Sequence, residues 1–256
     1  MNILPRAETC FFEHDPGMAL ARRAAVEGIG TLLLMLVASG SAQRASLVFP
    51  DQPGLGLVAH AVATSCGLVA LVTAFGSASG GHFNPLITGL QWLARERRLD
   101  CTLAYVAAQL LGAGLGAWLS GLLFAADSGQ PAAPSRILIL SEAIASAGLM
   151  IIVFGCARSG RAQTGPFAVG AWLCGAILTM PSGSCANPAI AVAALFAAGP
   201  AALPLPTVLS YLPAEIVGAL LALLVISIAY PARRRTAHRA EDRELSIKST
   251  AGRLTS

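Results

Sequence analysis

Six apolar stretches of this chain, at about 23–42, 55–77, 102–125, 137–156, 165–181 and 207–230, are each long enough to cross a bilayer as a helix, which takes roughly 20 residues. Two more apolar segments are too short. PLITGLQWL follows Asn84 and PAIAVAALFAA follows Asn187, and at about 1.5 Å rise per residue each reaches only about half way across. In hydrocarbon every backbone N–H and C=O needs a partner within the protein, so non-helical backbone survives there only packed in protein or lining water. The pattern predicts an all-α membrane protein of six transmembrane helices with two half-length segments re-entering its interior. Composition agrees: 12% of residues are charged, against about 25% in a soluble domain, and the mean hydropathy is +0.68.

Basic residues orient such a bundle, because Lys and Arg are retained on the cytoplasmic side. With the N-terminus inside, Arg6, Arg22, Arg23, Arg95, Arg97, Arg98, Arg158, Arg161 and the Arg233–Arg235 group are all cytoplasmic, together with the rest of the basic tail. Only Arg44 and Arg136 then fall outside, leaving 15 of 17 basic residues inside. Three regions follow: a cytoplasmic N-terminal segment (1–21), a membrane domain (22–231) and a polar cytoplasmic tail (232–256) that reads as disordered. Residues 1–20 carry Glu8, Glu13 and Asp15 and do not read as a secretory signal. The six cysteines are scattered without a Cys-x-x-Cys pair, so neither a disulfide, a metal site nor a cofactor is expected. The charge of +4 is accounted for by orientation and calls for no nucleic acid.

The membrane domain repeats, with halves at about 22–125 and 137–230. AYVAAQLLGA (104–113) matches SYLPAEIVGA (210–219), so that Tyr105, Gln109 and Gly112 answer Tyr211, Glu215 and Gly218. Glu27 in the first span answers Glu142 in the fourth. Three crossings per half is an odd number, so the second half enters from the opposite side. Inverted repeats of this kind place a site or pathway between the halves, near the midplane.

The half-length segments carry the chemistry. Each starts with Asn-Pro, after the Gly- and Ser-rich stretches SASGGHF and TMPSGSCA. These stretches are expected to be extended and to turn backbone carbonyls of Gly80, Gly81, His82, Gly183 and Cys185 toward a lumen. Asn is a strong helix N-cap and Pro suits the first helical position. With the cap using each side-chain oxygen, the NH2 groups of Asn84 and Asn187 are expected to be free to donate, side by side at the midplane. Such a waist accepts the oxygen of a neutral molecule, repels cations and interrupts a chain of proton-conducting water.

SGGHFNPLITG and GSCANPAIA resemble the two signatures of the major intrinsic protein family, the aquaporins and aquaglyceroporins. The resemblance covers about residues 22 to 230. It implies an aquaporin-like right-handed bundle of six spans and two re-entrant half-helices, assembled as a homotetramer with one pore per subunit. It implies a pore waist at Asn84, Pro85, Leu86, Asn187, Pro188 and Ala189. It also implies that the Glu27 and Glu142 carboxylates accept hydrogen bonds from loop N–H groups; the residues themselves leave open a proton-coupling role. Glu215 is not resolved between a similar part and a place near the polar end of its span.

Two departures from the family pattern bear on selectivity. Leu86 replaces the usual Ala and is expected just below the waist. Ile190 stands where water-selective members and glycerol facilitators usually carry Arg, and no arginine lies between Arg161 and Arg233 to replace it. Ungapped counting from the Asn residues places the other filter positions at Thr64, Gly175 and Ser184. A ring of Thr, Gly, Ser and Ile is small and uncharged, and it predicts a wide filter with the waist dipoles left to exclude ions.

These residues predict a passive channel for small neutral solutes (glycerol, urea or an undissociated metalloid acid such as arsenous acid), with water as co-permeant. A water-selective channel and a proton-coupled secondary transporter using Glu27 or Glu142 are the alternatives. No Ser/His/Asp set, His-Glu-x-x-His or paired Asp motif supports an enzyme. His82 reads either as a protonation gate or as a packed loop residue. Cys185 reads either as a mercurial target or as an inert small side chain, and His60 as neutral and buried. The glycines at 28, 112, 116, 148 and 218 read as close helix contacts. From the lack of a signal and from the resemblance, placement in a bacterial inner membrane is expected.

Overall fold

The computed structural model describes residues 17–124, 133–160 and 162–230. The segment before residue 17, Arg161 and the tail expected from 232 lie outside the described residues. All regular structure in the described residues is helical. Eight α-helices follow in order: α1 (Leu20–Val48), α2 (Pro53–Ser79), α3 (Pro85–Leu93), α4 (Leu99–Phe124), α5 (Arg136–Arg158), α6 (Gly165–Thr179), α7 (Pro188–Ala193) and α8 (Leu205–Ala229). Five of them are long and apolar enough to cross a membrane.

The helices bury their polar faces and expose their apolar ones. On α1 the buried stripe includes Glu27, Thr31, Leu34 and Met35, and on α4 it includes Cys101, Tyr105, Gln109, Gly112 and Gly116. Leu103, Leu111, Leu115 and Leu122 of α4 are exposed, as are Leu140 of α5 and Ile228 of α8. Hydrocarbon reverses the usual pattern, because lipid solvates leucine while buried Glu and Gln need partners inside the bundle.

The repeat appears as matched packing: α1 lies along α4, α5 lies along α8, and α2 meets α6 between the halves. The close approach rests on the glycines that answer one another in sequence. A Cβ on Gly112 would strike the Gly28 carbonyl oxygen, and one on Gly218 would strike that of Ala143. A large core cluster, including Phe83, Leu86, Ile87, Leu149, Met150, Val153 and Ile177, fills the space around the loops.

Three elements differ from expectation. The fifth crossing, expected over 165–181, is helical for only 15 residues. Pro181 disfavours helical backbone at Met180, which takes φ −90° and ψ 126°. Conversely α2 continues through Ser79, so the stretch expected to be extended from Ser77 narrows to Gly80–Phe83. The second half-helix has only six α-helical residues before a 3-10 turn at Ala194–Phe196; left-handed Gly199 (φ 62°) and Pro200 follow soon after it.

Candidate functional site: a pore between two Asn-Pro loops

The two loops meet tip to tip. Asn84 Oδ1 accepts from Leu86 N at 2.9 Å and Asn187 Oδ1 from Ala189 N at 3.1 Å, so each asparagine caps its own half-helix. The side-chain nitrogens then cross over. Asn84 Nδ2 donates to Ala186 O at 2.9 Å, and Asn187 Nδ2 donates to Phe83 O at 2.8 Å. This corrects the expectation of free amide donors. Each NH2 has two hydrogens, and one of the two ties the opposite loop.

The receiving carbonyls are available because the chain is kinked just ahead of each asparagine. Phe83 (φ 47°) and Ala186 (φ 43°) both take left-handed backbone, with Gly80, Gly81, Gly183 and Ser184 also at positive φ. A left-handed non-glycine residue costs about 1–3 kcal/mol and persists only when its surroundings over-determine it. The buried carboxylates do so. Glu27 accepts from His82 N (3.0 Å), Phe83 N (2.7 Å), Ser79 Oγ (2.6 Å) and Gln109 Nε2 (2.8 Å). Glu142 accepts from Cys185 N (3.0 Å) and Ala186 N (2.9 Å), and Glu215 accepts from Asn187 N (3.0 Å). All three carboxylates are fully buried.

A cavity of about 190 Å³ runs past both asparagines. Thr64, Gly81, His82, Gly183, Ser184, Cys185 and Ile190 line it. Six expected residues sit elsewhere. Gly175 is exposed on α6 and does not line the cavity, whereas Leu173 and Ile177 do. Each helical residue turns the chain by about 100°, so counting through the kinked 180–186 loop lost the phase of α6. Leu86 is buried in the core cluster, and Ile87 faces the cavity in its place. Ala189 packs with Met35, Ala113 and Ala117, and Gly80 forms the left-handed cap of α2. Pro85 and Pro188 open the half-helices.

His82 is packed: its Nδ1 pairs with Thr88 Oγ1 at 2.9 Å and its ring meets Tyr105 edge-on. His60, read from sequence only as buried, lines the cavity beside Thr64, and its Nδ1 pairs with Ser41 Oγ at 2.8 Å. Ser41 Oγ also lies 3.3 Å from Thr64 Oγ1. The hydroxyls of α1 and α2 thus form one polar cluster, while α6 and the second loop supply Leu173, Ile177 and Ile190. Pro200, Ala201 and Leu203 also line the cavity, and nothing in their local sequence marks them for it. No Lys or Arg side chain is among the lining residues. No cluster of metal-ligating side chains occurs among the described residues, and Cys66, Cys101, Cys174 and Cys185 form no disulfide.

Two capped half-helices joined through their asparagines, each loop held by a buried glutamate, can be compared with known proteins. Residues 17–181 match the family model described as major intrinsic protein. The chain belongs to the major intrinsic protein family. It is a multi-pass membrane channel protein of that family. The matched range includes the first Asn-Pro loop and stops short of the second, which is paired to the first by geometry. Among curated relatives, the aquaglyceroporin AqpS of Rhizobium meliloti is 38% identical over 181 residues, covering 69% of this chain and 76% of that protein. The aquaporin AqpM of Methanothermobacter marburgensis is 31% identical over 201 residues, covering 67% and 81%. Aquaporin Z of Photorhabdus laumondii is 28% identical over 170 residues, covering 59% and 72%.

Proposed function

We propose that this major intrinsic protein is a passive channel whose permeants are small neutral solutes carrying hydroxyl or amide groups, with water as co-permeant. The observation that carries the reading is Ile190 on the cavity wall, beside Thr64 and Ser184, with no Lys or Arg side chain among the lining residues. An arginine at that place narrows a pore and offers several rigid donors. Isoleucine offers an apolar surface instead. With Ile177 and Leu173 it faces the carbon side of a solute, while Thr64, Ser184 and His60 hydrogen-bond its polar side. Glycerol, urea and undissociated arsenous acid all fit this division. The first relative's name, aquaglyceroporin, agrees with it.

The filter in this reading is Thr64, Ser184, Ile190 and Ile177, and the waist is Asn84 and Asn187 with the second hydrogen of each amide turned to the lumen. Glu27 and Glu142 anchor loops rather than couple protons, since their oxygens are engaged by backbone N–H groups. The chain performs no reaction in this reading. It sits in the inner membrane with both termini cytoplasmic, as the basic residues favour, and assembles as a homotetramer, as the family resemblance implies.

Stopped-flow light scattering on proteoliposomes tests the filter by comparing water, glycerol and arsenous acid in the wild type and in Ile190→Arg. The wild type should admit all three. The variant should keep water flow and lose roughly tenfold or more of solute entry, since selectivity by pore width and wall charge is steep. Water flow without solute entry in the wild type would establish a water-selective channel instead. Accumulation against a gradient would establish a transporter.

A further inference from the structure

The two halves hold their loops with matching buried glutamates but differ in the group beside each one. In the first half Glu27 receives the Ser79 hydroxyl, two consecutive loop N–H groups and the Gln109 amide. In the second half Glu142 receives two consecutive loop N–H groups, and the Ser182 hydroxyl oxygen accepts from Ser184 N as that of Ser79 accepts from Gly81 N. Ser182 stands five residues before Asn187, as Ser79 stands five before Asn84. Where Gln109 stands beside Glu27, Glu215 stands beside Glu142: the two carboxyl groups accept from the three consecutive N–H groups of Cys185, Ala186 and Asn187.

An amide at that place can donate; an ionised carboxylate cannot. Glu215 Oε1 accepts from Asn187 N at 3.0 Å, while its fully buried Oε2 finds no N–H or hydroxyl donor. Two ionised carboxylates in contact and out of water repel strongly, and such pairs hold one proton between them. The donors around each group decide where it resides. Glu142 accepts from two N–H groups and Glu215 from one, so of the two the anion is better held on Glu142. We propose that Glu215 keeps a proton on Oε2 and donates it to Glu142, so that this pair replaces the carboxylate–amide clasp of the first half and holds Asn187 at the waist.

Glu215 lines no part of the cavity. It is a positioning residue, acting through the Asn187 backbone N–H, and Asn187 in turn acts through Phe83 O. The other titratable side chains on which the pair's charge acts are the Cys185 thiol and the Tyr211 phenol. On α5 the remaining ionisable groups are Arg136, Cys156 and Arg158, all toward the helix ends, and α3 and α7 contain none. Loss of the shared proton at alkaline pH leaves two adjacent anions, and the repulsion pulls Glu215 from the Asn187 N–H. Flux should then fall as pH rises.

Infrared spectroscopy of the reconstituted full chain reads the proton directly. The wild type at neutral pH should show the C=O band of a protonated carboxyl group, which disappears at alkaline pH and is missing from Glu215→Gln. In parallel, water flux in Glu215→Gln should stay within about twofold of wild type and become independent of pH, because the amide donates as Gln109 does. Glu215→Leu, which can neither donate nor accept, should lose roughly tenfold, the cost of an unsatisfied buried partner. A wild type lacking the band at neutral pH, or a band unchanged in Glu215→Gln, overturns the proposal. So does a Glu215→Gln variant as impaired as Glu215→Leu. The wild-type titration needs no variant to fold, and the infrared reading does not depend on which solute permeates.

Discussion

Asn187 combines in one side chain two jobs that usually fall to separate residues. Its oxygen caps a helix and its nitrogen clasps the opposite loop at Phe83 O. Aspartate preserves the first job and reverses the second, since a carboxylate oxygen would face a carbonyl oxygen. Asn187→Asp is therefore expected to cost about 1–3 kcal/mol for the buried carbonyl left without a donor. Water and solute flux in proteoliposomes should fall with it, by roughly tenfold or more. Unchanged permeability would mean that the asparagines support the bundle without forming the waist. The cap was legible in the dipeptide, because Asn then Pro is a helix start on local grounds. The clasp was not, because its acceptor lies 104 positions away and exists only when Phe83 turns left-handed.

At the level of elements, glycine decides how close the long helices come. Gly112 of α4 lies on the Gly28 backbone and Gly218 of α8 on the Ala143 backbone, so the two halves share one packing device. In lipid, helix association rests on such small-residue contacts rather than on apolar burial. Gly112→Val or Gly218→Val should wedge the pair apart and cost about 1–3 kcal/mol from overpacking, lowering the melting temperature in detergent. Gly114→Ala is the matched control: a Cβ there meets nothing within 4 Å, and the change should be neutral or slightly stabilising through helix propensity. Equal effects at positions 112 and 114 would separate packing from this account. The element boundaries show where local signals stop. The alternation of long and half-length apolar segments located every helix, but Pro181 shortened α6 and the 3-10 turn cut α7 below its apolar length.

For the whole molecule, charge and topology belong together. The orientation proposed from the basic residues puts both termini on the cytoplasmic side, and it predicts residue 130 outside and residue 160 inside. Alkaline phosphatase fused after residue 130 should be active and fused after residue 160 inactive, since the enzyme matures only outside the cytoplasm. The reverse pattern would invert the pore. The fusions also test the odd number of crossings in each half, on which the meeting of the two loops depends.

Sequence alone determined the membrane class, the number and order of the spans, the inverted repeat and the two capped half-helices. Each of these follows from hydrophobic length, local capping chemistry or charge counting, which act over short stretches of chain. It also singled out Glu27 and Glu142, because a buried carboxylate in an apolar span needs a partner. Only the tertiary structure decided which side chains face the lumen. A single residue of phase turns a helix by about 100°, so Ile177 rather than Gly175 came to line the cavity, and Ile87 rather than Leu86. The same holds for His60, which joined Ser41 and Thr64 only when α1 and α2 packed. Glu215 came to stand beside Glu142 only when α5 and α8 packed on each other.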